Sequence, residues 1–424
     1  MTPSIPSNTE VVVIGGGPAG STAATLIAEQ GRRVTLFERE HFPRFHIGES
    51  LIPETYWVLQ RLKLIEPLKH GHFVKKYSVQ FITEHGKLSE PFYFWDHKPY
   101  ESSQTWQVRR DEFDTILLNN ARQKGADVHE GVRVLNVIFD GNKAKGVRIK
   151  TTNGQEKDVM CQVVVDASGM STVLMDRLQL RQWDPDLKKA AVWTYWKGAK
   201  RDQGRDEGAT LVIQTEGKRG WFWYIPLHDD VVSVGVVSSE QDLFKEQGSK
   251  DLEKIYFDQV AKCPGLQPRL QGATRCDIFR AQKEYSYRAR QIAGDGWVLV
   301  GDALGFLDPL YSSGVLLALV SGAKAADAVV EGLSKHDVSA RQLGCWSEEY
   351  IKGMNRMRRL VCEFYNGFSF GQFIRRHPHL KGYITDMLIG DLYKDELDQL
   401  WPLMDAMRAE LSSEQATMLE SATA

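Results

Sequence analysis

Three glycines near the start of the chain have the spacing of a loop that binds a dinucleotide. Gly15, Gly17 and Gly20 follow the apolar run 11–14 at G-x-G-x-x-G spacing, and a helical pattern begins at Ser21. In such a loop the first glycine permits a tight turn, the second lets the backbone approach a pyrophosphate, and the third lets helix and strand pack closely. Free N–H groups and the dipole at the helix N-terminus favour the phosphates. We therefore predict a dinucleotide site at residues 15–20, the glycine loop.

The residues after the glycine loop indicate which dinucleotide it binds. A second predicted strand, residues 33–37, ends at Glu38, about 20 residues after the loop, where a carboxylate can accept hydrogen bonds from ribose hydroxyls. No second G-x-G-x-x-G occurs in the chain. Other candidate contacts, in the loop 39–53, the turn 167–169 and the strand end at Gly301-Asp302, are spread over most of the chain. This spread favours one long cofactor, FAD, over a compact NAD domain, although the loop and the turn could also be plain surface connections.

Lys76 is the candidate catalytic residue. Residues 73–82 alternate well enough to form a strand, with Lys76 on the same face as Val74, Ser78 and Gln80. The alternative is an ordinary solvated lysine, which is the usual fate of lysine on a strand. The pattern alone leaves both interpretations open.

Two further features could line an active site. Trp221 and Trp223 share one face of the predicted strand 220–227, where they could fill a core or form a rigid wall of a cavity. Ser313 and Gly314 precede a long helical pattern, and N–H groups at a helix N-terminus bind anions. That site could hold a flavin carbonyl oxygen or a small free anion.

The composition excludes several classes of function. A net charge of −2 gives no basic face for nucleic acid. The five cysteines are scattered, which argues against a disulfide framework and a zinc site and fits a reducing cytoplasm, where we expect the protein to be located. The N-terminus has no signal-peptide pattern, and the longest apolar run is too short to span a bilayer.

The elements that position these residues predict an α/β protein with a Rossmann-like, three-layer FAD-binding fold. This fold covers residues 1–335 discontinuously, and an inserted antiparallel β-sheet substrate domain interrupts it at about 72–106 and 187–288. Residues 128–150 read as a β-meander and 91–96 as an aromatic strand. Residues 336–424 form a helical C-terminal region. Its basic cluster, which consists of Arg356, Arg358 and Arg359, predicts either a solvated helix face or a docking site for an acidic carrier protein.

Over nearly its whole length the sequence resembles the flavin-dependent halogenases, within the wider group of FAD-dependent monooxygenases and geranylgeranyl reductases. The general marks are the glycine loop, Glu38, Arg110 with Phe113-Asp114, and Gly301-Asp302. The sharper marks are Gly48-Glu-Ser50 after Arg44, the halogenase fingerprint Trp221-x-Trp-x-Ile-Pro226, and Asp308-Pro-Leu-Tyr-Ser-Ser-Gly314. Geranylgeranyl reductases carry a lysine after the corresponding proline, whereas this chain has Leu227.

The resemblance implies roles for individual residues. The essential lysine of the family follows a Phe-x-x-Lys-x-Gly-Ala pattern, which matches Lys76, although Ser78 and Val79 depart from Gly-Ala and Lys75 is the fallback. Trp221 and Trp223 would shield the substrate from the flavin. Halide binding is implied for Ser313 and Gly314. Cofactor binding is implied for Gly15, Gly17, Ala19, Gly20, Glu38, Arg39, Arg44, Ser50, Arg110, Asp302 and Gly314.

The implied activity is halogenation that uses FADH2, O2 and chloride or bromide, with hypohalous acid and Lys76 delivering the halogen. A separate flavin reductase would supply FADH2. The tryptophan-halogenating branch carries a glutamate where this chain has Tyr311, which points to an electron-rich phenol or pyrrole substrate, free or tethered to a carrier protein. The alternatives are an FAD-dependent monooxygenase, a geranylgeranyl-reductase-like oxidoreductase, or a flavoprotein that only binds or senses.

Overall fold

The computed structural model describes residues 4–245 and 250–410. Its strands, in chain order, are β1 (Val11–Ile14), β2 (Val34–Glu38), β3 (Val74–Lys76), β4 (Ser78–Ile82), β5 (Phe92–Tyr93), β6 (Thr105–Gln107), β7 (Asp127–Glu130), β8 (Arg133–Asp140), β9 (Lys143–Lys150), β10 (Glu156–Met160), β11 (Val163–Asp166), β12 (Arg181–Lys197), β13 (Thr210–Gln214), β14 (Gly220–Pro226), β15 (Val231–Ser239), β16 (Thr274–Arg275), β17 (Arg280–Ala289), β18 (Ala293–Gly294), β19 (Trp297–Leu299) and β20 (Gly305–Phe306). Its helices are α1 (Pro18–Glu29), α2 (Thr55–Arg61), α3 (Ile65–Lys69), α4 (Phe94–His97), α5 (Arg110–Gln123), α6 (Val173–Arg177), α7 (Leu252–Ala261), α8 (Gln267–Leu270), α9 (Gly314–Lys335), α10 (Ala340–Leu343), α11 (Ser347–Tyr365), α12 (Phe370–Arg376) and α13 (Lys381–Ile389).

A mostly parallel sheet carries the glycine loop. Its strand order is β18-β19-β11-β1-β2-β7, and only β18 runs antiparallel to its neighbour. The central strands β1, β2 and β11 are buried along their whole length, as apolar runs in a parallel sheet should be. Strand β7 belongs to this sheet, so the prediction that residues 128–130 open the meander was wrong.

The sheet lies between two layers. Helices α1, α5 and α9 pack together beside it, and the antiparallel meander β8-β9-β10 contacts β2 and β11. The predicted three-layer Rossmann-like FAD-binding fold is therefore confirmed.

A second sheet of nine strands forms the substrate side. Its order is β20-β17-β12-β15-β14-β13-β4-β5, with β16 pairing to β12. Its strands are mostly antiparallel, but β4 pairs parallel to β13. The predicted single strand over 73–82 was wrong: the chain breaks at Tyr77, so that β3 pairs with β6 in a separate ribbon while β4 joins the large sheet. The predicted strand over 91–96 is likewise shortened to β5, because the chain turns into α4.

Helix α10 packs on α9 and on β18 and β19 of the parallel sheet, and an ion pair between Arg358 and Asp184 joins α11 to β12 of the second sheet. Arg356 pairs with Asp395 and Asp398, Arg358 with Asp184 and Asp186, and Arg359 with Asp405. These ion pairs use the positive charges within the chain, so this cluster offers no free basic face for a carrier protein.

Within residues 4–245 and 250–410, every helix is too short or too polar to span a membrane.

Candidate active site

The glycine loop is packed so closely that a side chain would clash with its backbone. Gly15 has a φ of +100°, which favours glycine, and a Cβ on Gly20 would lie only 1.9 Å from the Gly15 carbonyl oxygen. Helix α1 begins directly after Gly17, and no side chain caps its first turn. The N–H groups of this turn are therefore available to an anion, and Ala19 lines the cavity beside them.

Glu38 closes the loop from the end of β2. Its Oε2 accepts from the Gly16 N–H at 2.7 Å, and its Oε1 accepts from the Glu40 N–H at 2.9 Å. The carboxylate is thereby held at the cavity wall, where it has lone pairs left to accept from a ribose. Arg39, which also lines the cavity, is half-exposed and donates to Ser171 Oγ at 2.9 Å.

Arg44 and Arg110 share one buried carboxylate, Asp114. Arg110 donates from Nε and Nη2 to Asp114 at 2.8 and 3.0 Å, and its Nη1 donates to the Ile47 carbonyl. Because these bonds use most of its donors, Arg110 positions the loop that carries Arg44. Arg44 Nη1 lies 3.3 Å from Asp114 but makes no hydrogen bond there, and its Nη2 lies over Gly17.

The far wall is formed where three segments meet the glycine loop. The turn 167–169 touches it so closely that a Cβ on Gly15 would lie 2.4 Å from the Ala167 oxygen. Asp302 also lines the cavity, and burial raises the pKa of this carboxyl to about 6, against the lowering effect of Arg110. The left-handed turn at Ser312 leads into α9, where Ser312 and Gly314 form the wall while Ser313 is buried behind them.

These walls enclose one continuous cavity of about 770 Å³. It runs from the glycine loop past Ser50 to Trp223, and its volume lies within the range of about 300–1,000 Å³ common for cofactor and ligand sites. The donor set fits FAD, because uncapped helix N–H groups and Arg44 would meet the pyrophosphate, while Glu38 would meet the ribose. All eleven predicted cofactor residues line this cavity except Gly20, which shapes the loop from behind.

Lys76 is buried behind Ser50. Its side chain is 2% exposed, and Nζ donates to Ser50 Oγ at 2.8 Å and to the Leu51 carbonyl at 2.9 Å. Ser50 Oγ also lies 2.8 Å from Thr210 Oγ1, and both residues line the cavity. Among the residues that the structure describes, no carboxylate lies within ion-pair distance of Nζ, and burial lowers the pKa of Lys76 to about 7. The ordinary solvated lysine is thus excluded, and β3 orients Lys75 outward instead.

A buried carboxyl group lies next to Ser50. Glu49 is 2% exposed, Tyr195 OH donates to its Oε1 at 2.6 Å, and Ser233 Oγ lies 3.3 Å from its Oε2. Burial raises the pKa of Glu49 to about 7, although the Tyr195 hydrogen bond and Arg110 oppose the shift. Both titratable groups of this region therefore change charge near neutral pH.

Trp221 and Trp223 are buried and line the cavity, so they both fill the core and form a cavity wall, the two interpretations that the sequence offered. Their ring centroids are 6.4 Å apart, and Trp193 packs 6.2 Å from Trp223. Trp223 Nε1 donates to Ser233 Oγ at 3.0 Å. We call Trp221 and Trp223 the tryptophan wall.

The tryptophan wall is tied to the turn before α9. Trp221 Nε1 donates to Tyr365 OH at 2.8 Å, and Tyr365 OH donates to Asp308 Oδ2 at 2.9 Å. Asp308 is fully buried, which raises its pKa to about 6. Tyr311, three residues further on, is buried in the core, and the wall beside it is formed by Leu310 and Ser312.

Sequence analysis assigned no role to several side chains that complete this site, because they come from strands, loops and a helix far apart in the chain. They are Glu49, Trp193, Tyr195, Thr210, Ser233, Asp308 and Tyr365. Only Glu49 and Asp308 carried a usable signal, because each lies within one of the sharper marks of the family, Gly48-Glu-Ser50 and the segment 308–314.

Models of two protein families match the chain. The family described as tryptophan halogenase matches residues 95–369, and the family described as FAD dependent oxidoreductase matches residues 10–176. The first match covers well over half of the chain and includes the tryptophan wall and the turn before α9.

Individual proteins agree with this. The chain is 39% identical over 365 residues to a tryptophan 2-halogenase from Chondromyces crocatus, covering 85% of this chain and 68% of that protein. It is 29% identical over 428 residues to the 1H-pyrrole-2-carbonyl-[peptidyl-carrier protein] chlorinase of Pseudomonas fluorescens, covering 95% and 94%. The structure of the flavin-dependent brominase Bmp2 superposes with a TM-score of 0.82 at 29% identity, covering 97% of this chain and 100% of that one.

Proposed function

Because the chain belongs to the flavin-dependent halogenase family, whose members use FAD, we propose that it halogenates an electron-rich phenol or pyrrole with chloride or bromide and O2. The observation that carries the proposal is Lys76: a buried amine with no carboxylate partner in the described chain, placed behind a serine of the cavity wall. When bound, FADH2 together with O2 supplies the oxidising power that converts the halide to hypohalous acid.

Lys76 is the group that delivers the halogen. Near neutral pH a substantial fraction of its side chain is the uncharged amine, because burial disfavours the ammonium. With two hydrogens donated to Ser50 and Leu51, the ammonium form still has one N–H for the oxygen of hypohalous acid, whereas the uncharged amine has a lone pair that can react with hypohalous acid to give an N-haloamine and water. In either case the aromatic carbon takes the halogen, and the amine is restored.

Ser50 and Leu51 hold the amine of Lys76 in a fixed position beside the cavity. Two of the three ammonium hydrogens are used by Ser50 Oγ and the Leu51 carbonyl, so Nζ has a fixed direction before the halogen arrives. Ser50 itself is held through Thr210, which accepts from Gln107 Nε2 at 2.8 Å. This chain of hydrogen bonds makes Ser50 a positioning residue as well as part of the cofactor wall.

Glu49 is placed to take the proton that the ring loses. Substitution of hydrogen by halogen on an aromatic carbon releases one proton, and a base near the ring speeds this step. Glu49 lines the cavity close to Trp223 and titrates near pH 7 because it is buried. It supplies a carboxylate in a chain whose Tyr311 replaces the glutamate of the tryptophan-halogenating branch.

The halide and substrate occupy opposite sides of the tryptophan wall. Gly314 has open space around it at the start of α9, so its N–H can meet a halide, with Ser313 supporting the turn from behind. Trp221 and Trp223 separate this end from the aromatic substrate, which keeps the oxidant from hydroxylating it directly.

The substrate class rests on two observations. Tyr311 replaces an acid that a less reactive indole requires, and the pseudomonad relative acts on a pyrrole attached to a peptidyl carrier protein. A carrier-tethered substrate is therefore one arm of the proposal, and free phenols are the other.

A separate flavin reductase supplies FADH2, since the chain has a single nucleotide loop.

The test is a substrate panel. Purified protein, FAD, NADH, a flavin reductase and chloride or bromide are incubated with phenols, pyrrole-2-carbonyl on a carrier protein, and tryptophan. Mass spectrometry should show a halogen isotope pattern on a phenol or pyrrole. A product gaining one oxygen would indicate a monooxygenase, two added hydrogens would indicate a reductase, and halogenated tryptophan alone would overturn the substrate class.

A further inference from the structure

Two histidines and a glutamate converge outside the cavity. His72 Nε2 lies 2.8 Å from Glu112 Oε2, and His228 Nε2 lies 3.1 Å from Glu112 Oε1. The three ligand atoms lie within 4.8 Å of one another. They come from the loop before β3, the first turn of α5 and the loop after β14, and none takes part in the proposed halogenation.

The second observation is the orientation of His228. This side chain is more than nine-tenths buried, and its Nδ1 lies 2.9 Å from Asp229 Oδ2. If Nδ1 carries the proton, as this contact favours, Nε2 presents a lone pair. Nε2 lies 3.1 Å from Glu112 Oε1 but makes no hydrogen bond to it, so the Nε2 lone pair is directed past that oxygen. A cation bound by both atoms would use this lone pair and offset its repulsion from the carboxylate.

We propose that His72, Glu112 and His228 bind one Zn²⁺ ion. Two imidazole nitrogens and one carboxylate oxygen form a common zinc ligand set, and a carboxylate that accepts from the other nitrogen of a ligating histidine is its usual support. Asp229 provides that support. Because His72 is mostly exposed, water completes the coordination sphere.

The surrounding charges permit a divalent cation. Arg109 lies 3.7 Å from Glu112 Oε1, but its Nη2 donates to Asp111 at 2.8 Å. Asp111 and Asp229 add negative charge beside Glu112, and the nearby Arg201 guanidinium donates to the Leu227 and Val231 carbonyls rather than to these carboxylates. The cysteine pattern could not reveal such a site, because none of its ligands is a cysteine.

The ion would join three segments that lead into the active site. His72 precedes the strand that carries Lys76, Glu112 follows Arg110 on α5, and His228 follows the strand of the tryptophan wall. Binding to the folded chain alone would stabilise this junction, with a rise in the unfolding midpoint of about 4 °C at a Zn²⁺ concentration 1,000 times the Kd.

The test uses the full chain after treatment with a chelator. ZnSO4 is titrated into it by calorimetry, and the bound metal is counted by mass spectrometry after gel filtration. We expect one equivalent of zinc, with the affinity reduced by about 100-fold in His72→Ala and Glu112→Gln and by about 10-fold in Asp229→Asn. His72 is the decisive position, because an exposed side chain can be removed without loss of folding.

His70→Ala is the matched control. His70 is an exposed histidine on the same loop whose ring Nδ1 lies 2.8 Å from the Glu66 carbonyl oxygen, and its removal should leave zinc binding unchanged. Equal affinity in the wild type, His72→Ala and His70→Ala would overturn the proposal, as would wild-type protein that binds no zinc at 100-fold molar excess.

Discussion

The two ends of the cavity are built in different ways. The nucleotide end, residues 11–38, is one continuous strand-helix-strand unit whose shape is fixed by backbone contacts such as that between Gly15 and Gly20. The lysine end is assembled from side chains far apart in sequence, with Lys76 bonded to Ser50 and Ser50 to Thr210. Binding a phosphate depends on backbone geometry, whereas controlling the transfer of a proton or a halogen depends on individual side chains.

The two ends also differ in whether their charged groups are paired. Beside the nucleotide end, at the loop that carries Arg44, Arg110 is paired with Asp114 and remains a cation. At the lysine end Lys76 and Glu49 are buried without an opposite charge in contact, and burial moves the pKa of each to about 7. A paired charge binds and positions, while an unpaired buried group exchanges protons at working pH.

Replacing Lys76 should give the largest effect that this difference predicts. We expect Lys76→Met to lower the halogenation rate by about 1,000-fold or more, because a thioether neither donates to hypohalous acid nor becomes a haloamine at nitrogen. FAD affinity should stay within about twofold of the wild type, since Lys76 lies behind the wall. The two quantities are measured by product mass spectrometry and flavin fluorescence titration.

Lys75→Met is the control, because Lys75 is the exposed neighbour on β3. Its halogenation rate should match that of the wild type. Substantial halogenation by Lys76→Met would show that the lysine end is not where the halogen is delivered.

Gly20→Ala tests the nucleotide end in the opposite way. The added methyl would lie 1.9 Å from the Gly15 oxygen, so the loop must move and FAD affinity should fall by about 100-fold or more, with a loss of stability of about 3 kcal/mol. Gly371→Ala on α12 is the control, because a methyl there meets nothing within 4 Å. Unchanged flavin binding by Gly20→Ala would contradict the claim that backbone contacts shape this end.

The same contrast explains how much could be predicted. The glycine loop, Glu38 and the parallel sheet follow from local spacing, and the helical C-terminal region follows from periodicity. Sequence spacing could not show that the strand over 73–82 breaks at Tyr77, because each half alternates equally well and only pairing with β6 or β13 separates them. The role of Thr210 becomes visible only when folding brings it beside Ser50, and that of Glu49 only when folding brings Tyr195 to its carboxylate.

Glu49→Gln examines proton removal at the lysine end. The amide keeps the size of the side chain but is a far weaker base, so we expect a loss of halogenation of about 10- to 100-fold and a flatter pH profile between pH 6 and 8. Glu90→Gln, which changes an exposed acid outside the cavity lining, should have no effect. A rate and pH profile unchanged in Glu49→Gln would remove Glu49 from the reaction.

The depressed pKa of Lys76 also predicts how stability varies with pH. The folded side chain titrates at about 7 and the unfolded one near 10.5, so between these values the unfolded chain binds more protons. Wild-type stability should therefore rise with pH, relative to Lys76→Met, by about 1.4 kcal/mol per unit from pH 7 upward. Urea unfolding at pH 7, 8 and 9 measures the difference, and a constant difference would show that Lys76 is not desolvated.

Tyr365→Phe gives the smallest effect and tests whether the tryptophan wall of the cavity is coupled to the turn before α9. The Tyr365 hydroxyl accepts from Trp221 and donates to Asp308, so it connects the tryptophan wall to the turn that leads to Gly314. Without it, both buried partners lose a hydrogen bond, at a cost of about 1–2 kcal/mol. The wall should then move relative to the halide side, so that halogenated product per NADH consumed falls a few-fold while FAD affinity is unchanged. Tyr285→Phe, a phenol bonded to Glu240 away from the cavity, should keep the wild-type ratio. If Tyr365→Phe also keeps the wild-type ratio of halogenated product to NADH consumed, the tryptophan wall and the turn before α9 work independently. The separation of oxidant from substrate then depends on the indole rings alone.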